Sequence, residues 1–358
     1  MTELSIEALR DFGRRAYERA GMPPDDGRVV VDVQLEADLR GVDTHGFQRL
    51  PWYVERLLAG DNNPRARVRV VRESPVSVVV DGDNGLGQLV CTRLMEHTVA
   101  KAAAAGLALG ASRHSNDWGC GASYPLLAAR AGLVAFGTTT SVPTLAPFGS
   151  ATRMTGNNPM VYAVPRRDGP PIVLDMALTP VALGKVLRAA AEGQPIPETW
   201  GFLDRDGRPT TDPEAALTGV IPAIGGYKGT GLSLVMNVLA GILPGGAHSA
   251  AVANAGGRRG QLFWVAHPDL LGDRARFLEE VEAMVAQVRR AEPLPGADGV
   301  YLPGELETRR AEQARARGAI SYPRSVVEAL TELAGSLGIA LDTGGRGRTG
   351  AGGTEGAS

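Results

Sequence analysis

Arg67 to Gly87 reads RVRVVRESPVSVVVDGDNGLG, and two features of this stretch decide the fold class. Before it, Ile6 to Ala20 and Val29 to Leu39 carry apolar residues at helical spacing. WYVERLLAG, residues 52–60, reads as a third helix, with Pro51 where a first helical turn tolerates proline. From Arg67 the pattern becomes valine alternating with polar residues, the period of a strand. The stretch then ends in a turn-rich tract whose glycines fall as G-x-x-G-x-G. A Rossmann dinucleotide turn needs G-x-G-x-x-G between strand and helix, so the order and spacing are wrong. A phosphate cradle of another kind and a plain turn both stay open.

Beyond this switch, strands and helices alternate. A helix is expected from Thr92 to Ala105, a short strand at LALGAS, a helix from Ala122 to Ala131 and a strand at LVAFGTTTS. A Pro/Gly-rich loop, VPTLAPFGSATRMTGNNP, leads to strands at MVYAVP and PIVLDMA and a helix at LTPVALGKVLRAAAEG. GGYKGTG opens the long apolar helix LSLVMNVLAGILPG, and QLFWVAHP is a late strand. Such alternation predicts an α/β layered core. The Gly-rich end, from residue 342 to 358, has too few apolar side chains to fold and is expected to be a disordered tail.

Composition narrows the function class. In 358 residues, 44% are hydrophobic and 21% charged, as in ordinary globular proteins. A net charge of −2 gives no electrostatic case for nucleic acid or an anionic membrane. No apolar run approaches the roughly 20 residues that span a bilayer, and the first residues read as an amphipathic helix without a signal-peptide core. The two cysteines, Cys91 and Cys120, form neither a disulfide framework nor a metal-spacing pair, which fits a reducing cytoplasm. Histidines and carboxylates are not grouped at ligand spacing, so no metal is expected.

Three stretches crowd polar groups. Asp43-Thr44-His45-Gly46, followed by Arg49 and Tyr53, fills a helix-to-helix break. Arg49 and Tyr53 are four apart and share a face. Arginine grips a carboxylate bidentately, and histidine titrates near neutrality. The plainer reading is an Asp or Thr helix cap with a solvated arginine. SRHSNDWGCG, residues 112–121, gathers His114, Asn116 and Asp117 before a glycine turn. In GGYKGTG, Lys228 adds a full charge to the partial positive charge of a helix N-terminus, where phosphates bind. The alternative there is a tight turn with a solvated lysine. It is not a Walker loop, since the spacing is short and no Ser or Thr follows the lysine.

DTHGFQRLPWYVERLLAG, APFGSATRMTGNNPM, PIVLDMA, PTTDPEAAL, GGYKGTGLSL and YLPGELE, in this order, resemble successive motifs of the malate/L-lactate dehydrogenase family of the second type. The likeness runs from about Ile6 to Leu341. It implies hydride transfer, with NAD or NADP as cofactor, at the carbon alpha to a carboxylate, in a homodimer. It also implies a non-Rossmann three-layer α/β fold with a mixed sheet and a helical N-terminal domain. On this reading residues 1–75 form a helical substrate-side unit, joined by a helical segment over 300–341, and 76–299 form the cofactor-binding unit.

Carried over residue by residue, the family's Ser-His-Gly corner falls on Thr44, His45 and Gly46, with the hydroxyl kept. Its substrate-side arginine and tyrosine fall on Arg49 and Tyr53. Its cofactor contacts fall on Ser141, Asp175, Met176, Ala177 and Lys228. His45 is then the general acid, Arg49 the carboxylate holder, and Thr44, Tyr53 and Asn116 orient the substrate. One departure bears on mechanism. Where the family has a histidine proposed as proton acceptor, this chain has Asp117. A carboxylate there stabilises a cation and repels an anion. That predicts Asp117 to be a catalytic-pocket residue selecting a cyclic 2-imino acid. A 2-oxo or 2-hydroxy acid is the alternative, and a catalytically lapsed cofactor-binding homologue is a further one.

Overall fold

The computed structural model describes residues 1–252 and 257–343. The tail expected over 342–358 lies, from residue 344 on, outside the described residues. In chain order the elements begin with β1 (Thr2–Ser5), α1 (Ile6–Arg19), α2 (Pro24–Leu39) and α3 (Leu50–Leu58). Next come β2 (Arg69–Ser74), β3 (Ser77–Asp81), α4 (Gly87–Ala105), β4 (Leu107–Ser115), α5 (Ser123–Arg130) and β5 (Val134–Thr139). The middle continues with β6 (Pro143–Leu145), β7 (Thr155–Gly156), β8 (Met160–Val164), β9 (Ile172–Met176), α6 (Leu183–Glu192) and α7 (Pro213–Thr218). The chain closes with α8 (Tyr227–Met236), β10 (Arg259–Ala266), α9 (Arg274–Arg290), α10 (Glu305–Arg317), β11 (Ala319–Tyr322) and α11 (Arg324–Leu337).

Seven strands form one mixed sheet in the order β2-β3-β4-β10-β5-β8-β9. Only β3 and β4 pair in parallel, across the α4 crossover, and the other neighbours are antiparallel. This is the non-Rossmann mixed sheet that the glycine spacing and the family likeness imply.

Two large cores meet along α2. Val30, Val31, Leu35 and Leu39 pack with α1, α3, β11 and α11, while Val33 and Ala37 pack against the sheet with Val78, Leu94 and Trp118. A helix gripped on two sides is apolar on two sides, so its one-sided periodicity is weak. A third cluster, around Val186, Phe202 and Ile221, lies beyond β9.

Several boundaries move for local reasons. Helix α4 starts at Gly87 instead of Thr92, inside the glycine tract. A Cβ on Gly87 would sit 2.3 Å from the Asp117 carbonyl oxygen and 2.6 Å from that of Asn116. The tract therefore lets a helix end press against the backbone that carries Asp117, which accounts for its glycine as a plain turn does. Helix α6 starts at Leu183 instead of Leu178, because the Leu178 and Thr179 amides donate to Asn157 Oδ1 at 2.7 and 3.2 Å. Helix α8 starts within GGYKGTG and relaxes into a π-helical turn over Asn237–Ile242. The four-residue pair β1 and β11 is too short for alternation to show. No helix among the described residues is long and apolar enough to cross a membrane.

Candidate active site

Two single-turn 3₁₀ segments, Asp43–His45 and Phe47–Arg49, make the corner between α2 and α3. Neither is capped by a side chain, so the helix-cap reading of Asp43 or Thr44 does not describe it. The corner is fastened from α2 instead. Gln34 Nε2 donates to the Gly46 carbonyl at 3.2 Å, and Tyr17 Oη donates to Gln34 Oε1 at 2.7 Å. One turn on, Asp38 Oδ2 accepts from Phe47 N–H at 2.8 Å and from Tyr322 Oη at 2.6 Å. A Cβ on Gly46 would stand 1.8 Å from Asp38 Oδ1, so only glycine fits between them. Burial pushes the Asp38 carboxyl up to about 7, against the pull of those two hydrogen bonds.

Within the corner, Thr44 Oγ1 lies 3.0 Å from His45 Nδ1, which leaves Nε2 for a substrate. Arg49 Nε donates to the Thr44 carbonyl at 3.0 Å, and the guanidinium lies over the Trp52 ring. Burial lowers the His45 pKa, Asp117 opposes that shift, and Arg49 and Arg259 add to it.

Asp117 follows β4 and has both oxygens engaged. Oδ1 accepts from Tyr53 Oη at 2.7 Å and from Gly119 N–H at 3.0 Å, and Oδ2 accepts from Arg259 at 2.8 Å. Burial favours the protonated acid, but Arg259, then Arg49, His45 and the Tyr53 hydroxyl hold its pKa below the usual carboxylate range. Tyr53 and Asp117 line a small recess with Trp52, Arg56 and Arg259. Sequence reasoning missed Arg259, whose only local signal is a pair of arginines, Arg258 and Arg259, where β10 begins. The Asn116 amide is spent within the chain. Its nitrogen donates to Asn84 and to the Gly85 carbonyl, and its oxygen accepts from Gly257 N–H at 2.7 Å. His114 points away to the surface, in the left-handed backbone region with φ 51°, beside Asp81.

Thr44 and His45 also line a cleft of about 300 Å³, together with Arg40, Asn157, Asp175 and Ala177. Its glycine wall, Gly119 to Gly121, is the turn after Asp117. Asp175 Oδ2 accepts from Ala122 N–H at 2.8 Å. The carboxyl is open to the cleft yet ringed by protein, and that enclosure raises its pKa. Ser141, Met176 and Lys228 are set back from this cleft. Ser141 N–H donates to Asn158 Oδ1 at 2.9 Å, and the neighbouring Asn157 holds the start of the segment after Ala177. Met176 packs on the third core, and Lys228 is exposed in the first turn of α8. The structure thus brings Thr44 and His45 together with Asp175 and Ala177 in one cleft.

Comparison with known proteins gives a consistent result. Residues 4–331 match the family model described as malate/L-lactate dehydrogenase. Malate dehydrogenase of Pyrococcus horikoshii is 35% identical over 344 residues, covering 93% of this chain and 95% of that one. Ureidoglycolate dehydrogenase (NAD(+)) of Escherichia coli O157:H7 is 33% identical, covering 88% and 91%. (2R)-3-sulfolactate dehydrogenase (NADP(+)) of Chromohalobacter salexigens is 34% identical, covering 92% and 98%. Among solved structures, sulfolactate dehydrogenase of Methanocaldococcus jannaschii superposes with TM-score 0.88 at 32% identity, covering 95% and 98%. The delta1-piperideine-2-carboxylate reductase of Pseudomonas syringae superposes with TM-score 0.84 at 31% identity, covering 93% and 99%.

Proposed function

The chain belongs to the malate/L-lactate dehydrogenase family and is an NAD(P)-dependent oxidoreductase, and from that premise we propose that it interconverts a small 2-oxo acid and its 2-hydroxy acid, with His45 as the proton carrier. The observation that carries this reading is the meeting of His45 and Asp175 on the walls of one cleft. Those walls suit a nicotinamide coenzyme, since Gly119 to Gly121 offers backbone without bulk and Asp175 and Ala177 offer polar and small contacts. Ser141 and Lys228 would serve the same group further along. When bound, it supplies or takes up the hydride.

The rest falls to the chain's own side chains. His45 is held by Thr44 at Nδ1, so Nε2 faces the substrate oxygen. Its lowered pKa leaves it largely neutral at pH 7, ready to take the hydroxyl proton during oxidation. In the reductive direction the protonated imidazole gives that proton back, so reduction gains as pH falls and oxidation gains as it rises. The Arg49, Trp52 and Tyr53 side of the corner supports the substrate end, and the helical unit around it is its platform.

A cyclic imino acid is the second reading, motivated by the negative charge of Asp117 and by the reductase among the structural relatives. Arg259 weighs against it. At 2.8 Å it balances that charge, so no surplus anion remains to hold an iminium. Intact His45, Arg49 and Lys228 weigh against a lapsed enzyme. A homodimer is part of the proposal, supported by an exposed apolar strip on α8 and the π-turn: Leu232, Leu234, Val235, Val238, Ile242 and Leu243. A cytoplasmic setting rests on two buried free thiols, Cys91 and Cys120.

Substitution of the proton carrier tests the mechanism. His45→Ala should lower kcat for 2-oxo acid reduction by about 10²–10⁴-fold. Coenzyme binding, read by nicotinamide fluorescence, should persist. Turnover within a few-fold of wild type removes His45 from the mechanism.

A further inference from the structure

The cleft holds an arginine that neither the family likeness nor the corner uses. Arg40 follows the last residue of α2, is 4% exposed, and lines the cleft with His45 and Asp175. Among the described residues its guanidinium donates no hydrogen bond. Among those residues, the one carboxylate within 4 Å of it is Glu36, at 3.9 Å. Glu36 is already taken by Arg315 at 2.7 Å and approached by Arg130 at 3.6 Å, so one carboxylate serves three guanidiniums. A guanidinium carries five N–H donors, and those of Arg40 have no hydrogen-bond partner among the described residues where the side chain lines the cleft. A largely enclosed cation that opens only onto a cleft is placed to pair with an anion entering it. Arg49, by contrast, is set away from this cleft, donating through Nε to the Thr44 carbonyl and lying over the Trp52 ring.

We propose that Arg40 is the oxyanion-binding residue of the cleft, receiving either the substrate carboxylate or a coenzyme phosphate. This rests on the oxidoreductase reading above. Both ligands present the same chemistry, a planar or tetrahedral set of anionic oxygens that a guanidinium grips with two parallel hydrogen bonds. The charge of Arg40 also reaches Asp175, which lines the cleft together with a second carboxylate, Glu307.

Arg40→Met keeps the aliphatic stem and removes the charge, and Arg40→Lys keeps a charge without the fork. Two titrations are compared in each variant: NADH and NADPH by nicotinamide fluorescence, and oxamate on the enzyme saturated with NADH. In Arg40→Met one of them should weaken by about 10- to 100-fold, the loss expected for a charged hydrogen-bonded contact. Arg40→Lys should recover part of it. A loss confined to the coenzyme titration assigns the phosphate, and one confined to oxamate assigns the carboxylate. The Met variant should melt no lower than wild type, since an unbonded buried charge is gone. If it does not fold, the Lys variant carries the same comparison. Affinities within twofold of wild type in both titrations overturn the proposal and leave Arg40 as a structural partner of Glu36. Wild-type protein that binds neither coenzyme overturns the oxidoreductase reading, and this inference with it.

Discussion

The two sides of His45 are built on opposite principles. Toward α3, the side chains are held within the chain: Asp117 is shared by Tyr53, Gly119 and Arg259, and Arg49 donates through Nε to the Thr44 carbonyl and lies over Trp52. Toward the cleft, the Arg40 guanidinium makes no hydrogen bond among the described residues, and Asp175 is open. Paired charges hold geometry and unpaired ones wait for a ligand, so a charge counts toward specificity only after its neighbours are known. Asp117 shows this best. Read alone it favours a cation, whereas beside Arg259 it is a rigid, neutralised support for Tyr53.

The largest expected effect breaks the fastened side. Gly46→Ala would drive a Cβ into Asp38 Oδ1, and Asp38 is pinned by Phe47 N–H and Tyr322 Oη. It should cost about 3 kcal/mol or more of stability, read as a lowered denaturant midpoint, because overpacking of a rigid site has little room to relax. Gly231→Ala, at a helical glycine with nothing within 4 Å, should be neutral or stabilise by up to about 1 kcal/mol. Equal losses in both variants would mean that the corner is not held by Asp38.

A smaller effect follows from Asp38 itself. Its folded pKa, about 7, lies above the roughly 3.9 of an unfolded aspartate, so the native state holds this proton more tightly. Its contribution is present in full below about pH 4 and is lost as pH rises to about 7, on the order of 2–4 kcal/mol at most. Urea unfolding between pH 5 and 8 should therefore show a component that weakens with rising pH and disappears in Asp38→Asn. An identical pH slope in that variant would rule out Asp38 as its source.

The corner was legible because Asp43 to Tyr53 puts four chemically useful side chains in a helix break, where no packing pattern explains them. The switch at Arg67 located the sheet, and the order of its glycines excluded a Rossmann turn. Strand order was not legible, since antiparallel neighbours such as β4 and β10 are far apart in sequence and share only their alternation. The same distance hid Arg259, which meets Asp117 across 142 residues. Asn116 was read as a substrate contact because its amide stands next to Asp117. That amide closes the turn at Asn84 and Gly85, and no pattern within the segment shows it. Arg40 was hidden for the opposite reason: it sits in a helix end, and only its missing partners mark it.

The most direct measurement is the initial rate at 340 nm with NADH and NADPH against matched 2-oxo and cyclic 2-imino acids, in wild type and Arg259→Met. A clear wild-type preference for the 2-oxo acid is expected. Arg259→Met, which frees the Asp117 charge, should shift kcat/KM toward the imino acid by about tenfold, one charge-assisted contact in free energy. A wild type that reduces only the imino acid, with Arg259→Met unchanged in selectivity, would contradict the 2-oxo acid reading.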